Sequence, residues 1–194
     1  KKLSEKLSFL PQSVSELITI GDLKFYVNLL DEGGLYYSKS LEQLSRLYSL
    51  IQNDLRPDII IDIGANYGFI SLVAHRAMPQ ARVIAIEPDP LVIPYLKKNF
   101  KENNISGEII SGLCGEKMQK DALFSVNPTN SQDNRVYKKG WKQKKTQMVT
   151  IDFILNSLRF YLVPNDSYIF IKIDAQGYEP KILEGGATRL KVKN

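Results

Sequence analysis

Four short runs carry the residues best suited to chemistry, and each closes an apolar stretch. "IDIGANYGF" (Ile61 to Phe69) sets the carboxylate of Asp62 against Gly64 and Gly68, with Ala65 and Asn66 between them. "RVIAIEP" ends on Glu87 and Pro88, "GEIISGL" ends on Ser111, Gly112 and Leu113, and "FIKIDAQGYE" carries Lys172, Asp174 and Glu179. A glycine after a strand permits positive φ or the close approach of a ligand. A helix opening at Gly68 would offer free N–H groups to polar or anionic atoms. Glu87 follows Gly68 by roughly 20 residues, the spacing at which a carboxylate at a second strand tip accepts from ribose hydroxyls.

That much fits any nucleotide-type ligand, and two features narrow it. A dinucleotide site uses G-x-G-x-x-G, whose middle glycine lets pyrophosphate touch the backbone. Here the middle position is Asn66, and Asp62 beside the turn would repel a diphosphate. The pattern suits a ligand with ribose hydroxyls, an ammonium group and no phosphate, such as S-adenosylmethionine. An NAD-dependent oxidoreductase is the weaker reading. Asp62 can also be read as a cap on the backbone amides of the turn, and the two roles are compatible.

The elements that must position these residues follow from periodicity. Residues 18–30 alternate about Gly21-Asp22 and predict a hairpin. Ser40 with Gln43 is a capping-box signal, and Leu41, Leu44, Leu47, Leu50 and Ile51 predict an amphipathic helix over 41–53. From Asp58 onward, strand, helix, strand, helix and strand alternate, as in a parallel sheet with right-handed crossovers. In the second of these helices Asp89 is read as N-cap and Pro90 as N1. Residues 115–148 read as a long polar loop, "VTIDFILNSL" as strand running into helix, "SYIFIKIDAQG" as a fourth core strand, and "YEPKILEGG" as a helix closed by Gly185-Gly186. The division is an N-terminal hairpin and helix, residues 1–54, followed by an α/β core, residues 55–194.

Composition bounds the function class. A chain of 194 residues with 43% hydrophobic and 24% charged content is that of a folded globular domain. No apolar run approaches the roughly 20 residues that cross a bilayer. "KKLSEKLSFLPQ" is too polar for a signal peptide, and an initial lysine reads as a trimmed N-terminus. One cysteine, Cys114, forms no intrachain disulfide, which fits a cytoplasmic location, and with His75 as the one histidine a zinc site is close to excluded. The net charge of +5 concentrates in "KKGWKQKK", Lys138 to Lys145. It reads as a solvated loop, with a phosphate-tracking, base-stacking surface on Trp141 as the alternative.

"IIIDIGANYGFISLVAHR", "RVIAIEPDP", "VTIDFIL" and "FIKIDAQGYEPKILEGG" stand in an order that resembles the FkbM family of class I S-adenosylmethionine-dependent methyltransferases, over roughly residues 55–187. The resemblance implies a Rossmann-like, doubly wound parallel sheet and methyl transfer to a hydroxyl of a sugar, glycan or secondary metabolite. It implies that Asp62, Gly64, Ala65, Asn66, Gly68 and Phe69 line the methionine end of the cofactor. Glu87 and Pro88 would meet the ribose, and Ser111, Gly112 and Leu113 would pass the adenine. There are two departures. Gln176 stands where the family commonly has an acid, which weakens a metal or base role there. The chain also ends soon after the helix following the fourth core strand, whereas the family fold continues. The core is therefore read as lacking its last strands, with the exposed sheet edge covered by the N-terminal hairpin, a partner or a second copy.

Candidate chemistry follows from methyl transfer, in which alignment of the acceptor is the main task and a base assists a hydroxyl. Asp174 is read as facing the reaction centre. Glu179 is read either as catalytic or as stabilising a helix N-terminus. Lys172 is read as an ion-pair partner of a nearby carboxylate, or as a base of lowered pKa. Tyr36, Tyr37 and Asn130 are candidates for an acceptor pocket, His75 for a structural position, and Cys114 for packing or for approach to adenine. An RNA methyltransferase and a non-catalytic cofactor-binding domain are the alternative functions.

Overall fold

The computed structural model describes residues 14–40, 43, 46, 57–127, 129–136, 138–158 and 168–190. In chain order the elements are β1 (Ser15–Ile20), β2 (Leu23–Asn28), α1 (Glu32–Lys39), β3 (Ile59–Ile63), α2 (Phe69–Ala77), β4 (Arg82–Glu87), α3 (Ile93–Glu102), β5 (Gly107–Ser111), β6 (Leu113–Cys114), β7 (Gln119–Val126), β8 (Lys142–Val149), α4 (Ile151–Leu158), β9 (Ile169–Ile173) and α5 (Glu179–Glu184). Four strands form the central sheet in the order β5-β4-β3-β9, all parallel. The fold is α/β and Rossmann-like. The strand order reverses between β3 and β9, so a crevice opens beyond their carboxyl ends.

Period-two alternation divides the sheet between two cores. Ile60, Val83 and Ala85 pack with α2, α3 and the hairpin on one face. Ile59, Ile61, Ile63, Ile84 and Ile86 pack with α4 and Ile182 of α5 on the other. All five residues of β3 are buried. An isoleucine there contributes about 1.5–3 kcal/mol over leaving it in water. A carboxylate in such a strand therefore needs a specific partner, and Asp62 has one, described below.

The predicted hairpin forms, with Ile20 paired to Leu23 across Gly21-Asp22. Its inward residues Ile18, Ile20, Leu23, Phe25 and Val27 join the core on the α2–α3 face. Two asparagines one helical turn apart fasten it. The Asn99 side chain bonds both the N–H (2.6 Å) and the C=O (2.9 Å) of Tyr26, and the Asn103 side chain does the same at Lys24 (2.9 and 2.6 Å). The hairpin thus lies over the helices and does not pair with the outer edge of β9. Among the described residues no strand pairs with that edge, and the β9 side chains are half-buried where those of β3 are buried.

Three local expectations are corrected. First, Glu32–Lys39 is a helix with Asp31 as its N-cap, and Ser40 closes it as C-cap. Two glycines hid this helix, and close packing explains them: a Cβ on Gly34 would overlap the carbonyl oxygen of Asn28. The predicted helix over 41–53 lies outside the described residues except for 43 and 46, which are helical. Second, α3 begins at Ile93, after a turn in which the Asp89 carboxylate accepts from the N–H of Leu91 (3.0 Å). Pro94 falls in the first helical turn, where its missing N–H has no partner to lose. Third, residues 115–148 are not a loop throughout. β7 and β8 pair antiparallel, with β6 parallel to β8 on its other side. The overlooked signal is the alternation of Ala122, Phe124 and Val126, all buried around the exposed Leu123. No helix among the described residues is long and apolar enough to cross a membrane.

Candidate active site

The turn after β3 is built from inside. Gly64 has φ 73°, and a Cβ there would overlap the carbonyl oxygen of Asp174, so the tips of β3 and β9 meet only because this residue is glycine. Asn66 adopts φ 50°, a conformation asparagine tolerates because its short amide bonds locally. Every N–H of the turn is engaged. Those of Gly64 and Ala65 reach the Ile86 carbonyl (3.0 Å each), and that of Asn66 reaches Glu87 Oε2 (2.7 Å). Those of Tyr67 and Gly68 reach Asn66 Oδ1 (2.9 Å) and the Ala65 carbonyl (2.8 Å). The turn therefore offers no N–H group to a diphosphate, which disfavours a dinucleotide more strongly than the Asn66 side chain alone.

Asp62 supports this turn from behind. Its side chain is fully buried, and Oδ2 accepts from the N–H (3.1 Å) and hydroxyl (2.7 Å) of Ser71 in the first turn of α2. Lys172 lies directly opposite it across the β3–β9 pair, with Nζ 3.1 Å from Oδ1. The same ammonium donates to the Gly64 carbonyl (2.7 Å). Lys172 thus ties β9, the buried carboxylate and the glycine turn together. Neither Asp62 nor Gly68 lines the cavity, since Asp62 is spent on Ser71 and Lys172, and Gly68 packs against Leu96 of α3.

A cavity of about 400 Å³ opens at the carboxyl ends of β3, β4 and β9. The predicted residues Gly64, Ala65, Asn66, Phe69, Glu87, Pro88, Gly112, Leu113, Lys172 and Asp174 line it. Glu87 is buried, and its oxygens accept from the N–H groups of Asn66 (2.7 Å) and Asp89 (2.8 Å), leaving lone pairs toward the cavity. Burial pushes its carboxyl up to about 7 against those two hydrogen bonds. Asp174 is exposed, with the Gln176 side chain 3.4 Å from Oδ1. Gln176 takes φ 54°, unusual for a residue without a short polar side chain, and it also lines the cavity. Cys114 and Tyr37 also line the wall. Burial pushes the Cys114 thiol up to about 12 and holds the Tyr37 hydroxyl well above its usual range, so both stay protonated.

Two further predicted residues do not reach the cavity. Ser111 is exposed, and its carbonyl accepts from the Gln147 side chain (3.0 Å). Glu179 turns back on its own loop, where its carboxylate accepts from the Ala175 N–H (2.8 Å). Backbone N–H groups hold the Glu179 carboxyl below its usual range. It braces the "DAQGYE" loop that presents Asp174.

One side of the cavity was not foreseen. Residues 129–136 fold across it and contribute Ser131, Gln132, Asn134, Arg135 and Val136. Asp31 holds this cover: Oδ1 accepts from Ser131 N–H (2.7 Å), and Oδ2 from Ser131 Oγ (2.5 Å) and Tyr67 OH (2.8 Å). Asn66 Nδ2 donates to Ser131 Oγ (3.1 Å), and Asn134 Nδ2 to Asp89 Oδ2 (2.6 Å). Asp31 is therefore both the cap of α1 and the clasp between cover and glycine turn. Only its N-cap character was available to sequence reasoning, since its partner is Ser131. Tyr36 and Tyr37 line the cavity, Asn130 does not and instead accepts from the Gln132 N–H (3.1 Å), and His75 lies in α2, away from it.

The carboxylates of this cavity are those of Glu87 and Asp174, and they stand beside a turn whose N–H groups at residues 64–68 are all spent. Those two carboxylates fit a cofactor bearing hydroxyls and positive charge, and the turn gives a diphosphate no backbone cradle. Comparison with known proteins gives the family. Residues 62–193 match the family described as Methyltransferase FkbM domain. Methyltransferase sdnD of Sordaria araneosa is 26% identical over 185 residues, covering 77% of this chain and 71% of that protein. The 31-O-demethyl-FK506 methyltransferase FkbM of Streptomyces tacrolimicus is 37% identical over 57 residues, covering 29% of this chain and 22% of that protein. Among solved structures, M. jannaschii TYW2 in complex with AdoMet aligns at 16% identity over 53% of this chain and 46% of that one, with a TM-score of 0.42. The tRNA (uracil-54, C5)-methyltransferase of Pyrococcus abyssi in complex with S-adenosyl-L-homocysteine aligns at 12% identity over 50% of this chain and 23% of that one, with the same score of 0.42. The chain belongs to the FkbM family of S-adenosylmethionine-dependent methyltransferases.

Proposed function

We propose that the protein transfers the methyl group of S-adenosylmethionine to a hydroxyl oxygen of a sugar, glycan or other small molecule, with Asp174 as the base. The observation that carries this reading is the exposed Asp174 carboxylate in the cavity wall, beside the tip of β3. S-adenosylmethionine, when bound, supplies an electrophilic methyl group. The protein's task is then to hold the acceptor oxygen in line and to receive its proton, and the exposure of Asp174 in the cavity wall supports giving it the second role. Glu87 accepts from the ribose hydroxyls through the lone pairs not used by Asn66 and Asp89. Gly64, Ala65, Asn66 and Phe69 border the methionine end, and Gly112 and Leu113 the adenine. Lys172, Asp62 and Glu179 act as positioning residues, since their charges are spent on the loops that carry Gly64 and Asp174. One relative is named for methyl transfer to an oxygen, which supports the choice of acceptor.

The test uses S-adenosylmethionine carrying an isotopic methyl label, incubated with fractionated glycans and small-molecule extracts. Label should appear in an ether linkage. Asp174→Asn should slow transfer about 10²- to 10⁴-fold while leaving S-adenosylhomocysteine affinity within about 3-fold. Label on nitrogen or carbon, or an undiminished rate in Asp174→Asn, would refute the assignment. Cofactor binding with no transfer to any acceptor would instead assign a non-catalytic binding domain.

A further inference from the structure

Arg135 is a pre-set cation in the wall of the cavity, and no part of the mechanism above uses it. Its backbone is paired with the buried Ser125 of β7 through both N–H (3.1 Å) and C=O (2.8 Å). Its guanidinium is steadied by the Asp133 carbonyl (Nε, 3.0 Å) and the Asp133 carboxylate (Nη2, 3.2 Å), and stands 5.8 Å from the Trp141 ring. A guanidinium has five N–H donors, and these contacts occupy two of them. Lys172, the other cation of the wall, is committed to Asp62 and Gly64. Beyond Arg135 the surface stays positive: Lys138, Lys139, Lys142, Lys144 and Lys145 follow, with no acidic residue from Asn134 to Ile151. The Arg135–Asp133 pair is partly exposed (29% and 45%) and contributes little by itself. Its effect is to fix the orientation of the fork.

From this arrangement we infer that the acceptor carries an oxyanion, a carboxylate or a phosphate, and that Arg135 receives it at the cavity wall. The inference rests on the cavity being the methyl-transfer site. A fixed, forked guanidinium with donors beyond those that Asp133 engages matches the two oxygens of such a group, whereas a neutral sugar would bring no anion to those remaining donors. RNA is the competing polyanion, and Trp141 argues against it. Its ring is already met by Lys138 Nζ at 4.5 Å as well as by Arg135. That cover leaves Trp141 to orient cations rather than to stack a base.

Trp141 is the one tryptophan of the chain, so its emission reports on this site. Protein saturated with S-adenosylhomocysteine is titrated with D-glucuronate, glucose 6-phosphate, D-glucose and poly(U). At least one of the two anionic sugars should change the emission saturably, inorganic phosphate should compete with it, and glucose should have no effect. Comparison of glucuronate with the phosphate ester tells carboxylate from phosphate. Arg135→Gln should weaken the anionic sugar about 10- to 100-fold, and Arg135→Lys should restore only part, because it keeps charge without the fork. Lys138→Gln should cost about 2- to 5-fold. Calorimetry with S-adenosylhomocysteine runs alongside and should show wild-type affinity in Arg135→Gln. Failure of that cofactor to bind wild type would defeat the methyltransferase reading itself. Intact cofactor binding with no saturable anion response, or a response to poly(U) alone, would overturn this inference only. Weaker cofactor binding in Arg135→Gln would assign the guanidinium to the cofactor's carboxylate, and the inference would fail.

Discussion

Replacing Lys172 with methionine removes a cation that faces the fully buried carboxylate of Asp62. Asp62 would keep its two bonds from Ser71 but lose the ammonium 3.1 Å from Oδ1. Stranding one member of a buried pair costs about 3–5 kcal/mol. The Gly64 carbonyl loses its 2.7 Å donor as well, which the same range includes. For a chain of this size each kcal/mol lowers Tm by about 2–4 °C, so Lys172→Met should melt about 6–20 °C below wild type. The informative comparison is the double variant Asp62→Asn with Lys172→Met. Asparagine keeps an oxygen for Ser71 but carries no charge, so most of the loss should be recovered. The coupling in the cycle should be at least about 2 kcal/mol. Urea denaturation of the four proteins measures it. A Lys172→Met cost below about 1 kcal/mol, or strictly additive losses, would refute the bracket. The same double variant separates positioning from proton transfer, since it should methylate at a rate within about 10-fold of wild type, whereas loss of a base would cost at least about 100-fold.

Other predictions follow from Glu87, Asp31 and Gly64. The Glu87 carboxyl is raised from 4.5 to about 7, so its neutral form is the one folding favours. Its contribution to stability is complete below about 4.5 and is lost as pH rises through about 7, by up to about 3 kcal/mol. Ribose hydroxyls donate best to the ionised form, so affinity for S-adenosylhomocysteine should rise between about pH 6 and 8, and Glu87→Gln should flatten that rise. A wild-type affinity unchanged over that range would contradict the assignment. Asp31→Ala removes a cap and three bonds to Ser131 and Tyr67. It should cost about 2–4 kcal/mol and speed hydrogen exchange at residues 129–136, while exchange in β3 should change only with global stability. Gly64→Ala forces a Cβ into the Asp174 carbonyl at positive φ, and should cost more than the roughly 1 kcal/mol of an unhindered left-handed site.

Much of the sheet was legible because it rests on strong local signals. The runs "DIIIDI", "ARVIAIEP" and "SYIFIKIDAQG" have no competing periodicity, and the glycine turn follows the first of them directly. The hairpin over Gly21-Asp22 was legible for the same reason. The α1 helix was hidden by Gly33 and Gly34, which weaken helical propensity and are required by packing that only the folded chain provides. The β7–β8 pair was hidden because its solvent face is crowded with lysine and glutamine, so "KQKKTQMV" scans as polar loop. At the site, residue type and spacing pointed to Gly64, Asn66, Glu87 and Asp174, all of which stand in the cavity wall. They could not separate residues that line it from residues that brace it. Asp62 and Glu179 sit among wall residues in sequence, but alternation along β3 buries the Asp62 carboxylate and Glu179 folds back on the "DAQGYE" loop to take the Ala175 N–H. The cover of residues 129–136 depends on a contact between positions 31 and 131 that no local pattern announces.

The central claim is that the cavity bounded by Gly64, Glu87 and Asp174 receives S-adenosylmethionine. Calorimetric titration with S-adenosylhomocysteine tests it most directly, with NAD in parallel and Glu87→Ala as the variant. The account predicts that the first ligand binds, that NAD does not, and that Glu87→Ala weakens binding about 10- to 100-fold in a protein that still melts cooperatively. Binding of NAD at comparable affinity, or an S-adenosylhomocysteine affinity indifferent to Glu87, would contradict it.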